Sequence, residues 1–296
     1  MYIYCTALQN AVIRQQTEKV KLLLKSPSVD VNILCEYHRS DFNYIMAPLH
    51  EAVKNENMEI IKLLLENENI NINLVCKIEI NNASYHKYKC FDETALHLAI
   101  ESKNIEIVKN LLQNEKIDVN FPYQSYYKFV ETDYTYGSIE ETKRKISALA
   151  LAVSKNDIEI VKLLLKNKKV DVNMPVIISR SSEESRGCGS TLSAKDEEIP
   201  LLYSVLNQIF GHNYDIFQLL LRNEKIDVNI PYKCKGDETI IKTCLHSAVQ
   251  RGDIEIVKML LQNKNIKLNV VDNFQKKPID YADNYEEIKQ LLTNHS

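Results

Sequence analysis

A Leu and an Asn recur six times along this chain at almost constant separation. Five of the pairs are 24 residues apart and one is 28 apart: Leu8/Asn32, Leu49/Asn73, Leu96/Asn120, Leu149/Asn173, Leu245/Asn269 and the longer Leu201/Asn229. A unit copied at fixed length is typical of proteins in which each copy stacks on its neighbours. The spacing therefore predicts one elongated body for the 296 residues, rather than two globular domains.

Residues 94–120 show what one unit contains. Leu96, Ala99 and Ile100 fall at i, i+3 and i+4, which predicts the apolar face of a short first helix. A second apolar stripe follows after a turn, at Ile107, Val108, Leu111 and Leu112. Helices under about 12 residues are not stable alone, so both stripes must be buried against neighbouring copies.

Four segments carry a family pattern: T-A-L-H-L-A (94–99), A-P-L-H-E-A (47–52), S-A-L-A-L-A (147–152) and T-C-L-H-S-A (243–248). Each is followed by I-E-I-V-K-like and D-V-N stretches, and together they resemble the ankyrin repeat. The resemblance implies a mostly α fold, an ankyrin-repeat solenoid of antiparallel helix pairs with extended β-hairpin or loop insertions between repeats. It covers a single domain, 1–296, with repeats at about 5–32, 46–73, 93–120, 146–173, 198–229 and 242–269 and a C-terminal cap at 276–294.

The resemblance also implies a structural role for His50, His97 and His246, which occupy the fourth place of the T-x-L-H-x-A box and would bond between adjacent repeats. The family usually has Gly in the turn between the two helices, where φ is positive. Here the equivalent residues are Gln15, Glu56, Lys103, Asn156 and Gly252. Positive φ costs a non-Gly residue roughly 1 kcal/mol, so repeats one to three are expected to be weaker than a consensus repeat.

The connections between units vary while the units do not. From each Asn to the next anchor the gaps are 17, 23, 29, 28, 16 and 10 residues, and the last is enough for a tight hairpin. The second connection (76–90) has strand-forming Ile, Tyr and Lys arms around an Asn-rich centre, and the third (121–146) is rich in Tyr and Phe, so we expect elongated hairpin fingers. The fourth (174–198) is polar and poor in strand formers, so we expect a mobile loop. Extra residues within 208–213 are expected to enlarge one helix-to-helix turn.

Ten of the sixteen tyrosines lie in the five long connections. Tyr is enriched at binding hot spots because it offers a large contact area, a polar group and little entropy loss. The candidate partner-binding residues are Tyr85, Tyr88, Tyr123, Tyr126, Tyr127, Tyr134 and Tyr136. Two other interpretations stand beside this one: the rings only cover the neighbouring finger, or the insertions have drifted without a role.

The seven cysteines are odd in number and form no C-x-x-C pair, which favours free thiols over a disulfide framework. Cys76 and Cys90 are symmetric about Ala83, so they are expected to face one another across the second hairpin as free thiols, a redox bridge or a metal clip. Glu183 and Glu184 would raise the pKa of Cys188, which argues against a nucleophile there. No motif indicates an enzyme, a metal site or a cofactor site.

The net charge of −3 argues against a general nucleic-acid binder. No apolar run reaches the roughly 18 residues that a membrane span requires, and no secretory signal follows Met1, so we expect a monomer in the cytosol or the nucleus. The sequence predicts a non-catalytic scaffold or adaptor that binds protein partners through its concave face and Tyr-rich fingers. One alternative is a substrate-recruiting subunit of a larger enzyme such as a ubiquitin ligase. Another is a Cys-dependent redox or metal-responsive binder.

Overall fold

The computed structural model describes residues 5–38, 42–82, 87–133, 136–186, 189–206, 214–235 and 240–295. The predicted turn enlargement at 208–213 and Cys188 lie outside these ranges. Six helix pairs follow one another: α1 Ala7–Ile13 and α2 Thr17–Leu24, α3 Pro48–Lys54 and α4 Met58–Leu65, α5 Ala95–Glu101 and α6 Ile105–Leu112, α7 Ala148–Ser154 and α8 Ile158–Lys166, α9 Leu201–Leu206 and α10 Tyr214–Leu221, α11 Cys244–Gln250 and α12 Ile254–Leu261. A 3₁₀ turn, Pro278–Tyr281, and α13, Glu286–Asn294, end the stack.

Local sequence signals fix where the second helix of a pair begins. Asn57, Asn104, Asp157 and Asp253 each cap such a helix, with the side chain accepting a hydrogen bond from a backbone N–H three residues on. The preceding turn has positive φ, from 53° to 69°, at Gln15, Glu56, Lys103, Asn156 and Gly252. The prediction of left-handed backbone at these five positions is therefore confirmed.

Packing between repeats follows the predicted stripes. First helices pack on first helices, α1 on α3, α3 on α5 and α5 on α7, and second helices pack in the same way. Ala99, Ile107 and Leu111 are fully buried in a hydrophobic core that runs from Leu8 to Leu292. Within the described residues, no helix is long and apolar enough to cross a membrane.

The connections build a sheet that the sequence interpretation did not foresee. Ten strands are hydrogen-bonded in chain order: β1 Cys35–His38, β2 Phe42–Met46, β3 Cys76–Asn82, β4 Lys87–Glu93, β5 Tyr123–Asp133, β6 Tyr136–Ile146, β7 Val176–Arg186, β8 Gly189–Ile199, β9 Tyr232–Lys235 and β10 Ile240–Lys242. Each hairpin is antiparallel, and the last strand of one hairpin pairs with the first strand of the next, as β4 does with β5 and β6 with β7. The expected separate fingers are one continuous sheet, so "mostly α" describes only the helical layer.

Helix spacing explains this continuity. Stacked helices lie about 8–10 Å apart, and two strands occupy about 9.6 Å at the usual strand separation. A hairpin from each repeat therefore reaches the hairpin of the next repeat at hydrogen-bonding distance.

The prediction of a mobile loop in the fourth connection is wrong. β7 pairs with β8 over eleven positions and with β6 over ten, from Tyr136↔Arg186 to Lys145↔Ile177. Cross-strand contacts reinforce the pairing, including the Ser182 and Ser193 hydroxyls at 2.8 Å. Tertiary pairing overrides the weak strand propensity of this polar segment.

Candidate functional site

The register of the sheet sorts its side chains onto two faces, because directly paired residues of an antiparallel sheet point the same way. One face is turned toward the first helices. Gln9 on α1 donates a hydrogen bond to the Tyr37 hydroxyl at 3.0 Å, and Tyr203 on α9 stacks on Tyr232 at 4.8 Å between ring centroids. We call this the groove face, the opposite one the outer face, and the space between the groove face and the first helices the groove.

One row of cross-strand neighbours on the groove face fills the corner between the sheet and the helices, and we call it the base row. Its members are buried, and they are Met46, Cys76, Glu93, Tyr123, Ile146, Val176 and Ile199. Tyr123 is only 8 % exposed, and its ring lies edge-on to His97 at 5.8 Å. This predicted partner-binding residue therefore packs the corner.

Two rows of the groove face stand above the base row, and we call them the inner rows. The first contains Tyr44, Ile78, Phe91, Ser125, Arg144, Ile178 and Glu197, and the second contains Phe42, Ile80, Lys89, Tyr127, Thr142, Arg180 and Lys195. Tyr127 and, one row further out, Phe129 are half-buried, and Phe42 is 38 % exposed. The Lys89 ammonium lies 5.6 Å from the Tyr127 ring centre, a cation–π distance.

Tyr88 and Tyr126 lie on the outer face. Their ring centroids are 5.9 Å apart, and the Lys143 ammonium lies 5.7 Å from the Tyr126 ring. Burial, aided by a hydrogen bond with Glu141, raises the pKa of Tyr126 to about 12, so its hydroxyl stays protonated at neutral pH. Adjacent tyrosines of β5 thus serve opposite faces of the sheet.

The other candidate tyrosines are Tyr85, Tyr134 and Tyr136. Tyr85 and Tyr134 lie outside the described residues. Tyr136 begins β6, where its backbone pairs with Asp133 and Arg186, and its side chain is not among those described.

The three box histidines sit at the N-termini of first helices. Ala47 N–H donates to His50 Nδ1 at 3.2 Å, and His50 Nε2 lies 2.9 Å from the Leu74 carbonyl oxygen, where the next connection begins. His246 makes the equivalent contact to the Lys276 carbonyl at 3.1 Å. Burial lowers the pKa of His50 and of His97 to about 4, so both rings are neutral at pH 7 and act as hydrogen-bonding groups.

A carboxylate cluster lies where β7, β8 and β9 meet. Glu197 is 6 % exposed, accepts a 2.7 Å hydrogen bond from the Tyr232 hydroxyl, and lies 3.2 Å from Lys195 Nζ. Arg180 forms a second ion pair with it. Burial alone would raise the pKa of Glu197, but the hydrogen bonds from Tyr232 and Lys195 and the charge of Arg180 outweigh burial and lower it.

The pKa of a second buried carboxylate, Glu93, is shifted in the opposite direction. Burial, aided by the nearby charge of Glu101, raises the pKa of Glu93 to about 7, while the Lys155 ammonium opposes the shift. Lys155 is itself ion-paired with Glu101. Glu93 therefore changes charge near neutral pH.

The expected juxtaposition of Cys76 and Cys90 is wrong. The register pairs Cys76 with Glu93 and Cys90 with Glu79, so the hairpin is not centred on Ala83 and the two thiols lie on opposite faces. Both are free, and burial raises the pKa of each. Within the described residues, no group of three or more His, Cys, Asp and Glu side chains is placed to hold a metal ion.

The recurring Asn residues do more than end each unit. Each of five side chains donates from Nδ2 to a backbone carbonyl of the next repeat at 2.7–2.8 Å and accepts at Oδ1 from a backbone N–H two residues further on at 2.7–2.9 Å. We call these residues the Asn ladder: Asn32, Asn73, Asn120, Asn173 and Asn229. Their strict spacing was the signal, but the partner atoms lie 36–54 residues away and only the stacked structure identifies them.

Helix pairs stacked in register, each followed by a hairpin, define a repeat solenoid. The sequence model of the family described as "Ankyrin repeats (3 copies)" matches residues 3–76, 74–176 and 205–296, and the chain belongs to this family. No curated protein matches the sequence. Among solved structures, the chain is similar to the crystal structure of the ankyrin repeat protein EF0377, with 19 % identity, 98 % of each chain covered and a TM-score of 0.44. Ankyrin repeats generally mediate protein–protein interactions, and proteins built from them are typically non-catalytic.

Proposed function

We propose that this protein is a non-catalytic interaction scaffold, an adaptor that binds a protein partner in the groove. The observation that carries the proposal is the continuous sheet, which turns the insertions into one wall beside the first helices. Strands β5 to β8 are eleven residues each, so this wall rises about 36 Å at the usual rise per strand residue.

The groove face has the chemistry of a binding surface. Phe42 and Tyr44 on β2 and Tyr127 and Phe129 on β5 present partly exposed rings. Aromatic side chains supply most of the contact area at hot spots. Because β5 is hydrogen-bonded on both sides, binding there would order little new backbone and would lose little entropy.

The outer face has a different character. Several of its charged residues form cross-strand or same-strand ion pairs, as Lys128 does with Glu141 at 3.0 Å and Lys77 with Glu79 at 2.8 Å. Exposed ion pairs of this kind are typical of a solvated surface. We therefore assign partner contact to Tyr127 rather than to Tyr88 and Tyr126.

We also propose that the protein is a monomer and that it acts in the cytosol or the nucleus.

Adjacent residues of one strand give a matched test. A photo-cross-linking amino acid replaces Tyr127 on the groove face or Tyr126 on the outer face, and cells that natively make the protein are irradiated while expressing either variant. We expect discrete protein adducts from position 127 and a much weaker signal from position 126. Equal labelling from both positions, or adducts from position 126 alone, would contradict binding in the groove.

A further inference from the structure

Charge is distributed unevenly between the groove and the rest of the chain. The inner rows contain four cations, Lys89, Arg144, Arg180 and Lys195, and one carboxylate, Glu197. Four minus one gives +3 for these rows, whereas the whole chain carries −3. A positive strip on a net acidic protein selects for an acidic ligand.

Local pairing does not cancel this strip. Arg180 and Lys195 share the single carboxylate of Glu197, which leaves one positive charge over. Lys89 lies over the Tyr127 ring, and Arg144 is exposed. On the helical side of the groove, the Lys54 ammonium lies 4.2 Å from the Tyr44 ring centre and adds another cation.

Among the described side chains, acidic groups near the groove do not form an opposing strip. Burial raises the pKa of Glu51, and it raises the pKa of Glu93 to about 7, so Glu93 is only partly ionised near neutral pH. Glu101 is ion-paired with Lys155. Glu140 lies one row beyond the inner rows, beside Phe129, and Glu184 lies further toward the hairpin end.

The spacing of the cations suits an extended chain that runs along the groove across the strands. Lys89 on β4 and Arg180 on β7 are three strand separations apart, about 14 Å. Four residues of an extended peptide span about 13 Å. Carboxylates four positions apart would therefore meet both cations, with Tyr127 and Thr142 beneath the residues between them.

We propose that the partner binds through an extended acidic segment, whose carboxylates pair with Lys89, Arg144 and Arg180 and whose intervening side chains pack on Tyr127. This inference rests on the proposed function and adds the chemistry of the partner.

Neighbouring residues of β6 supply the test. A fluorescein-labelled seventeen-residue peptide with Glu at every fourth position and Ser and Gly elsewhere is titrated with the full chain, and binding is followed by anisotropy. A peptide with Gln in place of Glu is the matched ligand control. Arg144→Glu on the groove face is compared with Lys145→Glu on the outer face, which changes the net charge equally on the same strand. Circular dichroism checks folding, and if Arg144→Glu does not fold, the charge-matched pair Arg144→Gln and Lys145→Gln replaces the two Glu variants.

We expect the Glu peptide to bind, the Gln peptide to bind at least roughly fivefold more weakly, and added salt to weaken the Glu peptide. Arg144→Glu should weaken binding by roughly fivefold or more, and Lys145→Glu by less than about twofold. Equal losses for the two variants would show a general field effect and would overturn the proposal. Tighter binding of a single-stranded RNA of similar length would also overturn it.

The cross-linking experiment separates the two claims. If position 127 still captures a partner while the Glu peptide does not bind, the acidic chemistry is wrong and the groove remains the binding surface. If position 127 captures nothing specific, the proposed function itself fails.

Discussion

Removing one side chain of the Asn ladder should weaken the junction between two repeats. Asn120 joins repeats three and four: its Nδ2 donates to the Lys169 carbonyl at 2.7 Å and its Oδ1 accepts from Asp171 N–H at 2.8 Å. Asn120→Ala deletes both bonds and leaves the helices and the strands unchanged.

The magnitude follows from the number of bonds and their exposure. A typical hydrogen bond contributes about 0.5–1.5 kcal/mol net, and two bonds set the range at about 1–3 kcal/mol. Because both bonds are at the surface, where water can replace a lost partner, we expect a loss of about 1–2 kcal/mol in the free energy of unfolding.

Asn269 provides the control. It occupies the same place in the last full unit, and the described hydrogen bonds include none from its side chain to another repeat. Asn269→Ala should therefore change stability by less than about 0.5 kcal/mol, as is usual for surface substitutions. Urea denaturation followed by circular dichroism measures both variants, and a constant m value shows that the same structure unfolds.

The two variants together test whether the Asn ladder stabilises the stack. If Asn120→Ala costs no more than Asn269→Ala, the side-chain bonds between repeats do not stabilise the stack, and the explanation of the fixed Asn spacing is refuted.

Three further predictions address the turns, a buried carboxyl and the thiols. Lys103→Gly should stabilise the protein by up to about 1 kcal/mol because φ at this position is 56°, whereas Ser102→Gly, at φ −77°, should destabilise it; thermal melts of both variants test this. Glu93 has a pKa raised to about 7 from an ordinary 4.5, so its protonated form stabilises the fold at low pH and that contribution is lost as pH rises through about 7. Glu93→Gln should flatten the fall in melting temperature between about pH 4.5 and 7, and an unchanged slope would show that Glu93 is not the responsible group. Diamide treatment followed by peptide mapping should give no Cys76–Cys90 bridge, and alkylation should label Cys90 before Cys76, since Cys76 is fully buried.

Much of the helical layer was predictable because its signals are local. The stripe from Leu96 to Leu112, the caps at Thr94 and Asn104 and the positive φ at Lys103 all depend on residues within one unit. Such signals act through a helical period or a single turn, so one sequence is enough to read them.

The errors share a physical origin in contacts between units. The polar segment 176–199 has weak strand propensity. Its conformation is set by pairing with β6, whose paired residues lie on average about forty positions earlier in the chain. The sequence prediction centred the hairpin of Cys76 and Cys90 at Ala83, one and a half positions from its true centre. Because side chains alternate between faces, the two thiols that were expected to meet lie on opposite faces.

The sequence by itself determined the repeating unit, the family and the number of copies, because each unit carries its own apolar stripe, caps and turn. Only the tertiary structure decided that the hairpins merge into one sheet, which tyrosines face the groove and which atoms the Asn ladder joins. These properties depend on register between units that are distant in the chain, and register is set when stacked helices bring strands to hydrogen-bonding distance. The groove that we propose as the binding surface depends on this pairing between repeats.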